Sequence, residues 1–511
     1  MSRIKQNRNY GELKEKLESY HLTTSLKSNI EILKDSILKG DNTVIYRDLA
    51  NIESQRKFCL VFVDGMVNRE VINENIINSI MNYKLPDTTL EITTFLQQQV
   101  LIVDDIKLSD NLDDIIGGLL YGDSVLFISG IAKAFIINTK GWETRGISEP
   151  QSETIIVGPR EGFVESINTN MALIRRKINS PDLKFNSMEI GVRTKTKVSI
   201  AYVDGIANKD IINEVKRRLK TIEIEGLFSS HTIRELIQDN PLSAFKTIGD
   251  TERPDVVASK LLQGRIAIIC DGSPSVLTLP YIFVESFQVN EDYYENYIFS
   301  SFNRLLRVAA FLITSLLPGA FVAISTFHKE LFPTSLIISI FVSRENVPFS
   351  LAIEILAMLI LFEILREAGL RLPKHIGSTV SIVGALILGD AAVSARFIGA
   401  STVIIVSLTG ICGLILYEIR TSVLVLRFIF LVLGAFMGLY GIIFGVMGLT
   451  IYLVSMRSFD IPYMLNIVDI NFRTIGDVVF RAPWSKLYRR SKYIASDPIR
   501  GKVANKGGSD E

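Results

Sequence analysis

The chain has 511 residues, with 55 Lys plus Arg against 54 Asp plus Glu and a net charge of +1. That length holds more than one domain, and the charge balance excludes the cationic excess of a chain that seeks nucleic acid or another polyanion. Three unspaced cysteines (Cys59, Cys270, Cys412), four scattered histidines and the lack of a Walker or Rossmann glycine pattern give no disulfide framework, metal site or cofactor motif. Taken in order, residues 1–40 read as a polar helical arm with a partial apolar stripe at Leu13, Leu17, Ile30, Leu33 and Ile37. Met1–Leu38 contains no apolar signal core, so the first 300 residues are expected in the cytoplasm. Phe58–Val63 is almost wholly apolar and predicts a strand buried on both faces. Asp64-Gly65 then predicts a turn, and Asn68 caps a helix starting near Arg69.

The stretch from Val63 to Glu74 recurs from Val203 to Glu214, 140 residues on, with seven of twelve positions identical. Gly122, Val125–Ile128 and Gly130 recur as Gly264, Ala267–Cys270 and Gly272. The first part is therefore read as two copies of one unit, of α/β or α+β class: lobe 1 over 41–148, and a linker signature with lobe 2 over 149–290. A helix N-terminus after each Asp-Gly fits an anion or metal site. Turn chemistry explains the pair more simply, with Gly supplying a positive φ and Asp or Asn capping. Between the copies Gly158-Pro159 and Gly162 bracket Arg160 and Glu161, a rigid turn whose two charges are expected to contact the other lobe or another subunit.

Gly158-Pro-Arg-Glu-Gly-Phe163 with Asn170 and Leu173-Ile-Arg-Arg-Lys177 resembles the central signature of the A subunits of GerA-type spore germinant receptors. Further likenesses are Leu317-Pro318, Thr326-Phe327-His328, Glu363–Pro373, Ser381–Leu386, Arg457-Ser458-Phe459 and Pro462-Tyr463, so the resemblance covers roughly residues 25–465. It implies a non-enzymatic, multi-pass protein of the spore inner membrane that works with a permease-like B subunit and a C-subunit lipoprotein. It also implies a homo-oligomeric, ligand-gated ion channel that triggers germination. A paralogue that amplifies ion release and a non-conducting scaffold are the alternatives.

Residues 300–460 read independently as an all-α polytopic membrane domain. Val308–Ser325 is interrupted by Leu317-Pro318-Gly319, and Pro333–Val342 is too short to span. Ser350–Leu365 carries Glu354 and Glu363. A charge in a span faces a partner or a water path, and Arg366 is three residues from Glu363, within pairing distance on one helix face. Ile376–Gly389 is rich in small and polar residues. Its Ser378, Thr379, Ile382, Val383, Leu386 and Asp390 are candidate pore-lining residues, the apolar three as constrictions and Asp390 as a ring selecting cations; a small-residue packing helix is the other reading. Ala400–Tyr417 follows as a span. Phe428–Met456 has no charged residue and would reach about 43 Å as one helix. On a continuous helix Gly434, Gly438, Gly441, Gly445 and Gly448 share one face, a seam within one subunit or between subunits. The basic tail, 461–511, is expected in the cytoplasm, which demands an even number of crossings: four plus one re-entrant segment.

Overall fold

The computed structural model describes residues 22–86, 89–141, 153, 157–371, 389–465, 477–478, 480–484, 490–497 and 499. Lobe 1 begins with α1 (Leu26–Glu31, widening into a π-helical stretch, Ile32–Ile37). Then come β1 (Val44–Ala50), β2 (Lys57–Val63), α2 (Arg69–Val71 running on through Ile72–Asn78 and Ser79–Asn82) and α3 (Thr89–Phe95 with Leu96–Val100). β3 (Ile106–Ser109), α4 (Leu112–Leu120), β4 (Ser124–Ile128) and β5 (Ala134–Ile137) complete it. Lobe 2 repeats the plan as α5 (Ile167–Lys177), β6 (Leu183–Ile190), β7 (Thr196–Val203), α6 (Lys209–Lys220), α7 (Ser230–Ile237), β8 (Gly249–Thr251), α8 (Pro254–Leu262), β9 (Ile266–Cys270) and β10 (Val276–Leu279).

The sheets are ordered β1-β2-β4-β5-β3 and β6-β7-β9-β10-β8, and every pairing is antiparallel. Of the two classes left open by the sequence, the region is therefore α+β. Antiparallel pairing does not expose β2: α1 and α4 cover Cys59 and Val61 on one face, while α2 and α3 cover Phe58 and Leu60 on the other. Lobe 2 is layered alike, with α6 and α7 on Val198 and Ile200, and α5 and α8 on Phe185 and Ala201. Each apolar side chain so enclosed contributes about 1.5–3 kcal/mol, so both sheets carry a substantial core.

Local geometry matches between copies. Asn68 accepts from the Glu70 and Val71 amides and Asn208 from that of Asp210, while Gly65 and Gly205 adopt φ of +79° and +77°. Residues 26–37 of the predicted arm pack on the sheet of lobe 1, with Leu33 fully buried, and the helix of the signature is their counterpart in lobe 2. The equivalence shows in parallel hydrogen bonds: Gly130 N donates to Thr24 O and Gly272 N to Glu165 O, each tying the residue before the helix to the β4–β5 or β9–β10 turn.

The helical region comprises α9 (Tyr297–Phe327), α10 (Thr334–Ser343), α11 (Leu351–Arg371), α12 (Ala400–Ile415) and α13 (Arg420–Ser455), with a short helical stretch at 389–394. α9 continues through Pro318, and α9 and α13 are long and apolar enough to cross a membrane. The expectation of one continuous glycine-striped helix fails at Gly438, whose φ of +60° and ψ of −143° are non-helical. A Cβ on Gly445 would lie 2.7 Å from Phe430 Cε1, although a straight helix would part these residues by about 22 Å. α13 is therefore two antiparallel halves, each about 27 Å long and close to the roughly 30 Å of a bilayer core. Both ends of α13 lie by lobe 2, where Ser422 Oγ donates to Ala244 O and Phe459 N to Asp239 Oδ2. The single continuous helix on which the expected count of four crossings was built is therefore a hairpin.

The described parts of the tail are not a solvated appendage. β11 (Arg457–Ser458) and β12 (Ile461–Pro462) form a two-residue ladder, Tyr463 is buried against Phe283, and Ile494 joins the lobe 2 core.

Candidate functional site

The sequence-predicted site residues fall into three places: the seam between lobes, the junction of lobe 2 with the helices, and the interior of the bundle. At the seam, Asn170 is wholly buried and bonds both the amide and the carbonyl of Val164, folding the signature back on α5. Glu161 is spent inside lobe 2, 2.9 Å from Lys177 and 3.6 Å from Arg176, and Arg160 is exposed. A charge that crosses between lobes is Arg175, 1% exposed, whose guanidinium lies 2.5 Å from Asp41. Asp41 also accepts from the Thr43 amide and hydroxyl, so the buried pair has the additional hydrogen bonds that burial requires. Beside it, a Cβ on Gly65 would meet the Asn168 carbonyl oxygen at 2.9 Å; one glycine of the repeated turn is thus needed for lobe contact as well as for its φ.

At the junction, Arg304 of α9 is fully buried between Asp292 (2.9 Å) and Asp477 (2.8 Å), and Arg307 adds two bonds to Asp292 at 2.8 and 3.0 Å. In the sequence these arginines stand just before the apolar run Val308–Ser325, with nothing local to signal their partners. Ser458 donates to Thr247 O and accepts from Tyr281 N, and Phe283 N donates to Tyr463 O. Lys246 of lobe 2 reaches Glu418, which follows α12, at 3.2 Å and Asp250 at 3.1 Å. Burial works against the lysine charge, but these two carboxylates outweigh it and hold the Lys246 pKa above the ordinary value. Burial likewise opposes the charge of Asp250, yet His231, Lys246 and Arg234 hold it well below the usual carboxylate range. The start of α9, the end of α12 and both ends of α13 are therefore all fastened to lobe 2.

Within the bundle Glu354 is 1% exposed and fully engaged: Arg344 at 2.6 Å, the Gly399 amide and the Thr402 hydroxyl at 3.0 Å each. It ties α11 to the start of α12. Glu363 pairs with Arg366, as the three-residue spacing predicted, and also with Arg427 of α13 at 2.7 Å. Arg427 borders the uncharged run Phe428–Met456, and a partner 64 residues away leaves no local signal in the sequence. The glycine stripe divides by contact. Gly434 has its missing side chain filled by the Gly319 carbonyl, Gly438 lies by Phe327 and His328, and Gly441 and Gly445 pack on Leu433 of the facing half of α13. Gly448 has nothing within 4 Å. Ser378, Thr379, Ile382, Val383 and Leu386 lie outside the described residues, and Asp390 is exposed at the start of the 389–394 stretch.

A duplicated α+β head fastened to apolar helices, two of them long and apolar enough to cross a membrane, has the build of a membrane protein. The family model described as Bacillus/Clostridium GerA spore germination protein matches residues 31–493. The chain belongs to this family of receptors, which are not enzymes, and is a homologue of germinant receptor A subunits. It is similar to spore germination protein KA of Bacillus subtilis (strain 168), 37% identical over 481 residues, covering 93% of this chain and 88% of that protein. It is also similar to the uncharacterized membrane protein YfkQ of the same organism, 39% identical over 471 residues, covering 92% and 91%. Among solved structures, the N-terminal domain of the A subunit of the Bacillus megaterium spore germinant receptor GerK3 is 31% identical, covering 52% of this chain and 98% of that one at a TM-score of 0.41. The family match extends to residue 493, so 466–493 belongs to the shared region from which the sequence reading left it out.

Proposed function

We propose that the protein is the A subunit of a nutrient-responsive germinant receptor, and that copies of it assemble into a ligand-gated cation channel in the spore inner membrane. Its partners are a permease-like B subunit, which binds the nutrient, and a C-subunit lipoprotein. Both lobes and the tail face the cytoplasm. The observation that supports a conducting role is how the acids are disposed. Glu354 and Glu363 are neutralised within the subunit, whereas Asp390 stands exposed beside the small-residue run, free to face water in a ring of copies. Ser378, Thr379, Ile382, Val383 and Leu386 line the pore in this reading. An accessory paralogue that amplifies ion release is the second reading. Purified protein in liposomes, assayed for cation flux, tests the proposal: Val383→Ala should raise the leak and Asp390→Asn should lower cation over anion flux. Wild-type liposomes as tight as empty ones would leave a scaffold and sink the channel.

A further inference from the structure

Between lobe 2 and the ends of α9 and α12 lies a cavity of about 270 Å³, just below the roughly 300–1,000 Å³ usual for small-molecule sites. Its wall carries charges of both signs, and nearly all are already matched. Arg253 holds Asp255 at 2.7 Å and the Pro159 carbonyl at 3.0 Å. Lys260 is shared between Thr278 and Glu285, and Glu285 pairs with Arg265 at 2.7 Å. Arg307 is held by Asp292, Asp250 by Arg234 and Lys246, and Glu418 by Lys246. Glu153 differs. It receives the Thr251 hydroxyl at 2.7 Å, and among the described residues no cation lies within 4 Å of it.

A carboxylate largely removed from water with no cation in contact is unfavourable until something positive joins it. An anion, or the carboxylate of a zwitterion, would have to break one of the existing pairs to bind here. A cation would break none. Val256, Val289 and Ile415 supply an apolar part of the same wall, which suits the carbon portion of an organic ion better than the all-oxygen shell of a bare metal cation. We propose that this cavity binds a small organic cation with a primary ammonium group, its charge met by Glu153 and its alkyl portion lying on Val256 and Ile415. A ligand so placed touches lobe 2 and the end of α12 at once, and so stiffens the head against the helices. The site goes beyond the channel reading and stands whether or not the helices conduct.

The test uses the full chain in detergent micelles, titrated calorimetrically with n-butylammonium chloride at constant ionic strength against KCl. Saturable binding is expected, tighter at pH 8 than at pH 6 because burial pushes the Glu153 carboxyl up to about 7 and the cation needs it ionised. Glu153→Gln should weaken binding at least tenfold while leaving the melting temperature of the unliganded protein at pH 4 unchanged. Val256→Trp, which fills the cavity and keeps the carboxylate, should also abolish binding. Lack of saturable binding, equal binding by Glu153→Gln or Val256→Trp, or equal competition by potassium would each overturn the proposal; sodium butyrate should not bind.

Discussion

Gly319 and Gly434 meet backbone to backbone where α9 crosses α13: a Cβ on Gly434 would strike the Gly319 carbonyl, and one on Gly319 the Phe430 carbonyl. In hydrocarbon, where apolar burial gives helices no reason to associate, such close approach is the main source of packing energy. Gly434→Leu should therefore destabilise the protein by about 1–3 kcal/mol or more, read as a lower melting temperature in detergent, with Ala intermediate.

The same geometry picks the position that reports on assembly. Leucine at Gly441 would collide with Leu433 of its own hairpin, so loss of an oligomer there would reflect misfolding. Gly448 has open space around it within the subunit. Gly448→Leu should keep the monomer's melting temperature and, if copies meet on this face, dissociate the oligomer on native electrophoresis; an unchanged oligomer removes that face from the interface.

Arg175 and Asp41 make a buried pair between lobes. Removing one partner of such a pair typically costs about 3–5 kcal/mol, because the other charge is stranded, whereas removing both costs far less. Arg175→Met should lower the thermal stability of the full chain sharply. Adding Asp41→Asn, which still accepts from Thr43, should restore most of it. An Arg175→Met protein as stable as wild type would show that the lobes hold together without this charge.

These pairs also mark where sequence reading stops. The duplication was legible because Asp-Gly turns and asparagine caps are local chemistry: Asn68 and Asn208 do the same work at the same offset in both copies. The kinship of α1 and α5 was legible too but passed over: Ser25, Asn29 and Ile37 recur as Ser166, Asn170 and Ile178, and Asn29 bonds the amide and carbonyl of Thr23 as Asn170 does those of Val164. Glycines at steps of four and three fit a continuous helix as well as a folded one, so only the backbone at Gly438 distinguishes them. Glu363 was recognised as a costly charge, and Arg366 as its neighbour in sequence. Arg427 and Arg344 complete the pairs with Glu363 and Glu354 through tertiary contact alone.

Glu153 gives a pH dependence whose sign follows from its surroundings. Burial is the dominant cause and the nearby Glu418 adds to it; the Thr251 hydrogen bond and Lys260 oppose them, and the carboxyl rises from 4.5 to about 7. Between those values the folded protein holds a proton that the unfolded chain has released. Stability tied to this group is thus complete below about pH 4.5 and is lost as pH rises through about 7. A shift of that size corresponds to about 3 kcal/mol. Glu153→Gln keeps the shape and cannot ionise, so its melting temperature should match wild type at pH 4.5 and exceed it increasingly up to pH 8. Parallel melting curves across that range would mean that Glu153 reaches water or a cation in the folded protein. Butylammonium should narrow the gap at pH 8 for wild type alone, because it supplies the charge that the cavity wall lacks.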